Sequence, residues 1–582
     1  MESRGAGPPS TVLAFAWRLP SGSESRRDGR VGPRLSYRTV RGRRSVVSRR
    51  SQWNDFDRPN CYTSRLSRRP GRVRDRSENW APRDRRGPGP RLAKGVVVSD
   101  DPTRAQKSTT SGEDYTDPLA QRYASASMKT LFSPRRRALA WRDLWIALAE
   151  EERALGLPID ANQVAALRAH RDELDLDRIA EHEERLRHDV MAHIHHFGEV
   201  APEARGILHL GATSCFVTDN GDLVLYREAL TIIGQRLLRS IHALARFARE
   251  HADRPTLGLT HLQPAQLTTV GKRAALWLQD LVDVWREVDR LRIELPFRGV
   301  KGTTGTQASY LQLFGGRHED VEELERRVSA RMGFDRVFPL TGQTYSRLWD
   351  HRVVNLLCEI GIVLHKMSTD LRLLQSWGEI EEPYRSTQIG SSAMPYKRNP
   401  MRAERMGALS KHLMAFPTSV GTMAATQWFE RTLDDSALRR LTIPQAFLTA
   451  DALLIIARNV CDGLIVHPRV IERRLADQLP FIAAEELLML GASRGGDRQE
   501  LHERIRRLAW QAAQEMREEG APNGLRGMFE ADDVLGPLLA ELPPWEATRF
   551  TGRAAEQTRA YLDDVIAALP VPPEDELREL TV

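Results

Sequence analysis

Apolar positions fall into helical seams over much of the chain. Val353, Leu357, Ile360, Leu364, Met367, Leu371 and Leu374 are spaced alternately by four and three residues, the stripe that a helix buries in a bundle. Leu223, Tyr226, Leu230, Ile233, Leu237, Leu244 and Phe247 repeat the idea, and Asp219 or Asn220 just ahead of them reads as an N-cap. No proline interrupts residues 203–254, 265–295 or 340–382, which permits helices of about 30 residues or more, each on the order of 45 Å long. Strand-type alternation and βαβ spacing are missing. The pattern predicts an all-α fold: a central bundle of long helices over 214–466, flanked by shorter helical regions at 103–213 and 467–582.

Residues 1–102 break this pattern. They are rich in Arg, Ser, Gly and Pro with no sustained apolar period, a composition that cannot offset chain entropy by burial and is expected to be disordered. They hold 23 Arg and one Lys against 10 acidic residues, a net of +14, which leaves the rest of the +7 chain at −7. The basic balance belongs to this segment, so nucleic-acid binding by the whole protein is not supported. Three readings of the segment stand: an extension without function, such as follows from too early a start codon; an arm touching RNA or another polyanion; or an organelle transit peptide, which its acidic residues disfavour.

The remaining composition narrows the class. With 582 residues, 41% of them hydrophobic, the chain suffices for roughly two to four domains and a large core. Cys61, Cys215, Cys358 and Cys461 lie far apart without a CxxC pair, against a disulfide scaffold or thiolate zinc site and in favour of a reducing compartment. No run of about 18 apolar residues is found, so no membrane span is expected. Thr11–Leu19 is short and carries Arg18, a poor secretory signal. A soluble, cytoplasmic protein is the expectation.

Between the helical seams lie polar, Gly/Thr/Ser-rich stretches too elaborate for the short connections a bundle needs: His209–Asn220, Thr260–Thr269, Lys301–Gln307, Thr341–Tyr345, Gly390–Arg405 and Trp428–Arg440. Several such stretches in one chain argue for a site. GSSAMPYKRNP (Gly390–Pro400) offers two hydroxyls in a flexible loop, Lys397 and Asn399, followed by Arg402 and Arg405. That set suits carboxylate or phosphate binding beside a hydroxyl that must lose its proton. The residue types do not choose between Ser391 and Ser392. His261, in a polar setting between Thr260 and Gln263, is a candidate general acid or base as well as a candidate structural histidine. His188 beside Arg187 and Asp189 reads as a ligand contact. A zinc site at His188, His193, His195 and His196 is disfavoured, because HExxH is missing and His188 and His193 do not share a helical face. KGTTGTQ could cradle an anion with backbone N–H groups but lacks the Walker A pattern. Arg431, Ser436, Arg439 and Arg440 surround Asp434–Asp435, either as a phosphate-binding set or as a solvated helix start with its own ion pairs.

GSSAMPYKRNP resembles the GSSxMPxKxNP loop of the fumarase/aspartase superfamily. HLGATSCFVTDN, THLQPAQLTTVGKR, KGTTGTQAS, TGQTYSR and WFERTLDDS resemble, in order, the adenylosuccinate lyase family within it. The resemblance runs from about Asp117 into the C-terminal region and leaves residues 1–102 outside. It implies three mainly helical domains, the middle one forming a twenty-helix core in a homotetramer. It implies a carbon–nitrogen lyase of purine biosynthesis that releases fumarate from adenylosuccinate to give AMP, and from SAICAR to give AICAR, without cofactor or metal. Ser391 maps onto the base and His261 onto the acid. Arg122, Tyr123, Arg187, His188 and Asp189 map onto nucleotide or phosphate contacts. Thr213 and Ser214 would hold a succinyl carboxylate, with Lys397 and Asn399 beside it and Gln343 on the succinyl group. Arg405, Arg431, Ser436 and Arg440 complete the nucleotide pocket.

Two alternatives remain open at this level. Argininosuccinate lyase or another superfamily member needs no nucleotide phosphate pocket, so the Arg431/Ser436/Arg440 group discriminates. An RNA-binding protein would act through the basic arm. Independently of the family, Thr213–Ser214 precede a helix on the order of 45 Å long and His261 follows it. If both touch one small ligand, different chains must supply them.

Overall fold

A computed structural model describes residues 115–573 of the chain; the disorder expected of residues 1–102, and the readings of that arm, fall outside the described residues. Helices dominate. The longest of those described, Ser214–Glu250, spans 37 residues and therefore about 55 Å. Val270–Glu294 and Asp434–Gly463 pack along it, and Leu348–Ser376 packs along both of those. The seams do what their spacing predicts: Leu223, Leu230, Ile233, Leu237, Val353, Leu357, Ile360, Leu364 and Met367 are all fully buried. They belong to one continuous core with contributions from Leu119 to Ile566. A second, smaller core gathers Leu487, Leu501, Leu525, Phe529 and Leu535 from the helices Pro468–Ser493, Arg498–Glu518, Leu525–Ala531 and Leu535–Glu541.

Several expectations need correction. The long helix begins at Ser214 after Thr213, so Asp219 and Asn220 lie inside it and are buried rather than capping. Asn220 is held by the backbone of Gly299, through Nδ2 to its carbonyl and Oδ1 from its N–H, both at 3.1 Å. Thr260–Thr269, read as a connection, forms most of an antiparallel hairpin of Pro255–Thr260 with Gln263–Thr269; a second small antiparallel pair joins Ile380–Glu381 to Ile465–Val466. Two long helices carry an internal proline, Pro444 and Pro480, because tertiary packing outweighs the local cost. Among the described helices Asp434–Gly463 is long and apolar enough by length and composition to cross a membrane, where none was expected; its apolar stretch is 72% buried in the bundle.

The helices set up two ends. Thr213, Gln343 and Arg431 lie where Ser214–Glu250, Leu348–Ser376 and Asp434–Gly463 begin, and the 255–269 hairpin and the 382–400 segment lie beyond the opposite ends of the first two.

Candidate active site

Helix starts and turns converge at the first end around a cavity of about 510 Å³. Asp189–Val200 begins after His188, whose Nδ1 accepts the Met191 N–H at 3.4 Å. The His188 Nε2 lies 3.4 Å from Ser214 Oγ at the start of the longest helix. Asp434–Gly463 brings Asp435 and Ser436 in its first turn. Unpaired N–H groups and the positive ends of helix dipoles at such starts favour a bound anion.

The Thr341–Tyr345 turn closes the cavity. Gln343 donates its backbone N–H to the Glu430 carbonyl at 2.9 Å, and its Nε2 donates to Thr213 Oγ1 at 3.0 Å. This approach requires glycine, since a Cβ on Gly342 would stand 2.6 Å from the Glu430 carbonyl oxygen. Gly305, at φ +82°, is likewise pressed on the Thr341 carbonyl. The KGTTGTQ loop therefore buttresses this turn. Its Lys301 is spent on Glu325 at 2.7 Å, and Arg298 donates to the carbonyls of Gln343 (2.8 Å) and Gly302 (2.9 Å).

Beneath the cavity runs a buried charge network. Arg347 donates to both carboxylate oxygens of Asp219 at 3.0 Å and to Asp435 at 2.7 Å. Asp435 accepts Arg431 through its other oxygen at 2.6 Å. Arg439 donates to Asp350 and to the Tyr345 hydroxyl, both at 2.8 Å, and lies 3.0 Å from Asp222. Burial would push the Asp219 carboxyl up, but Arg347 and Arg439 outweigh it and hold the group below its ordinary range. Cys215, on the same wall, has its thiol pushed up to about 11 by burial, so it is no nucleophile near neutral pH. His193 is pushed down to about 4, mainly by burial, and packs edge-on to Trp141 with ring centres 4.8 Å apart. It is a neutral packing group.

Of the residues singled out from sequence, Arg187, His188, Asp189, Ser214, Gln343, Arg431, Ser436 and Arg440 line this cavity, and Thr213 is tied to it through Gln343. Arg440 reaches Asp189 across it at 2.5 Å. The others lie elsewhere in the chain. Arg405 stands over the Tyr123 ring at 5.8 Å, with Arg122 adjacent and exposed. Ser391, Lys397 and Asn399 share the 382–400 segment, where Asn399 Nδ2 donates to the Gly390 carbonyl at 2.9 Å. Ser391 Oγ accepts the N–H groups of Ala393 and Met394 at 3.3 and 3.1 Å. His261 sits exposed at the hairpin tip with φ +54°. The longest helix separates Ser214 from Glu250 by about 54 Å, and the eleven residues from there to His261 span at most about 40 Å. His261 therefore stands at least about 14 Å from Ser214 and is not among the residues that line the cavity. Sequence reasoning missed Arg137, Asp222, Tyr226 and Arg347, which also line the cavity.

Comparison with known proteins decides the family. The chain is 50% identical to adenylosuccinate lyase of Saccharomyces cerevisiae over 463 residues, covering 78% of this chain and 96% of that protein. The chain belongs to the adenylosuccinate lyase family. A second member, the adenylosuccinate lyase of Schizosaccharomyces pombe, is 47% identical over 460 residues, 78% of this chain and 95% of that one. A family profile described as Lyase matches residues 146–414, a span that includes the cavity turns at 187–189, 213–214 and 343. At the level of fold alone, the family architecture is shared with 3-carboxy-cis,cis-muconate lactonizing enzyme of Pseudomonas putida, with TM-score 0.66, 23% identity, and 77% of this chain and 98% of that one aligned. Fumarate lyase of Mesorhizobium sp. BNC1 gives TM-score 0.65 at 23% identity, covering 77% and 99%.

Proposed function

We propose that this protein cleaves the C–N bond of adenylosuccinate by β-elimination, giving AMP and fumarate, and treats SAICAR in the same way to give AICAR. The observation that carries the proposal is the cavity itself: Arg187, Arg431 and Arg440 with Ser214 and Ser436, set at helix starts, form a place for a phosphorylated ligand. A lyase acting on argininosuccinate has no use for it.

The chemistry assigns roles by residue type. A base takes a proton from the succinyl carbon next to a carboxylate, and the electron pair is held as a dianionic aci-carboxylate. Its collapse expels the nitrogen, which an acid protonates. Ser391 is the base. The two N–H groups directed at its Oγ favour the alkoxide over the hydroxyl, whereas no hydrogen bond to the Ser392 hydroxyl is found among the described residues. Lys397 adds positive charge beside the loop, with Asn399 fixing its exit. His261 is the acid. Thr213, Ser214 and Gln343 hold the succinyl end; Arg187, His188, Asp189, Arg431, Ser436 and Arg440 hold the nucleotide; Arg122, Tyr123 and Arg405 supply further nucleotide contacts.

Thr213 and His261 lie beyond opposite ends of a helix about 55 Å long, a separation that supports a complete site made by several copies of the chain. The proposal includes a homotetramer whose middle region, about 214–466, forms the shared bundle between an N-terminal part and a C-terminal part, in a cytoplasmic enzyme. The test is purified full-length protein incubated with adenylosuccinate, followed by the ultraviolet change and by fumarate release, with oligomeric state measured by sedimentation. Activity in a tetramer supports the proposal. Folded, assembled protein that releases no fumarate refutes the reaction, and full activity in a strict monomer refutes the shared site.

A further inference from the structure

Six arginines line the cavity, and four are held by carboxylates: Arg347 and Arg431 by Asp435, Arg439 by Asp350 and Asp222, and Arg440 by Asp189. The guanidinium groups of Arg187 and Arg137 make no hydrogen bond or ion pair with any described residue. Arg187 is exposed and belongs to a motif already discussed. Arg137 is half-buried and belongs to none.

Arg137 lies in the first turns of the Pro134–Ala154 helix, four residues before Trp141, so both side chains share the face turned to the cavity. That face is fixed. Trp141 is buried against His193 and against Gly221 of the longest helix, where a Cβ would stand 2.9 Å from the indole. The charge of Arg137 is felt at Asp222 and His193, yet Asp222 is already engaged by Arg439 at 3.0 Å. No described residue satisfies the guanidinium's five donors, and none of them is sealed off as a buried atom without a partner, so they are open to a bound anion with several acceptors.

Position selects the anion. The cavity wall runs along the longest helix from Ser214 to Tyr226, about 18 Å. Thr213 and Gln343 mark one end, while Arg137 acts at Asp222, four residues short of the other. A nucleotide with its succinyl group at Gln343 points its phosphate toward Arg137.

We propose that Arg137 is a substrate-binding residue that holds the nucleotide phosphate together with Arg440, at the end of the cavity away from Gln343. The proposal rests on the lyase reading above, and its test separates the two. Full-length wild type, Arg137→Gln and Arg137→Lys are compared for equilibrium binding of AMP and of adenosine, for turnover of adenylosuccinate, and for melting temperature. The expected result is AMP binding and KM weakened about 10- to 100-fold in Arg137→Gln, with kcat within about threefold, adenosine binding and melting unchanged, and most of the loss recovered by lysine. AMP bound equally well by wild type and the glutamine variant overturns the proposal. So does an equal loss for adenosine, which places the residue away from phosphate, and so does a wild type that binds no AMP. If wild type fails to cleave adenylosuccinate while the AMP difference persists, the lyase reading falls and the phosphate contact stands.

Discussion

Replacing Asp435 tests whether the buried charge network holds the cavity. Arg298, Arg347, Arg431 and Arg439 face Asp219, Asp222, Asp350 and Asp435, four cations against four anions. Arg347, Asp219, Asp350 and Asp435 are at most 2% exposed. Asp435 joins two of the cations, Arg347 at 2.7 Å and Arg431 at 2.6 Å. Asp435→Asn leaves one uncompensated positive charge in a dry region, and breaking a buried pair from one side costs about 3–5 kcal/mol. Arg347→Met leaves the opposite excess at a similar cost. The double variant has three charges of each sign again. The two penalties should therefore fall short of additivity by about 2 kcal/mol or more, within the range seen for groups in one network. The readout is the first thermal unfolding transition of the four proteins in a double-mutant cycle, with AMP binding measured alongside, because Asp435→Asn also frees Arg431 to swing. Strictly additive shifts would show that the two side chains do not act as a unit, and the network would then have no bearing on the position of Arg431.

The remaining predictions address separate links. His261→Ala and Ser391→Ala are each expected to lower kcat by roughly 10²–10⁴ or more without changing the circular dichroism spectrum; near-normal turnover removes either role. Mixing inactive His261→Ala protein with inactive Arg431→Ala protein under conditions that exchange subunits should restore part of the activity, since the two sites of damage lie at opposite ends of the chain; no recovery in verified hybrids counts against a shared site. Gly342→Ala places a methyl 2.6 Å from the Glu430 carbonyl, breaks the 2.9 Å contact of Gln343 N–H with it, and should raise KM by displacing Gln343, which a substrate titration checks. Glu152 is fully buried, neither carboxylate oxygen has a hydrogen-bond partner among the described residues, and burial pushes the group up to about 9. A raised folded-state pKa means that its contribution to stability is whole below the ordinary carboxylate range and is lost as pH rises toward 9, at up to about 1.4 kcal/mol per pH unit. Glu152→Gln lacks that slope, so its melting temperature should gain on wild type steadily from pH 5 to pH 9; parallel curves would refute the assignment.

The residues proposed to meet a ligand and those that hold them differ in how readable they are. Arg187–Asp189, Thr213–Ser214, Gln343, Ser391–Asn399 and Arg431–Arg440 occur in polar strings set against a periodic apolar background, more elaborate than the short connections a bundle needs. The supporting network leaves no such trace. Arg347 meets Asp219 and Asp435 across 128 and 88 residues of sequence, and Arg439 meets Asp350 across 89. Each looks locally like an ordinary charge on a helix surface, and Asp219 even passes for a cap because a short acceptor ahead of an apolar seam is what a helix start looks like. Arg137 hides in a run of three arginines for the same reason. The hairpin at 255–269 escaped because residues 261–266 are exposed and so carry no burial alternation to read. Periodicity reports what a segment buries and composition reports what it does not; neither reports which distant segment it meets. A long helix turns that gap into a functional statement. It holds Thr213 and His261 beyond opposite ends of one rod, and that separation is what the proposal of a site shared between copies of the chain rests on.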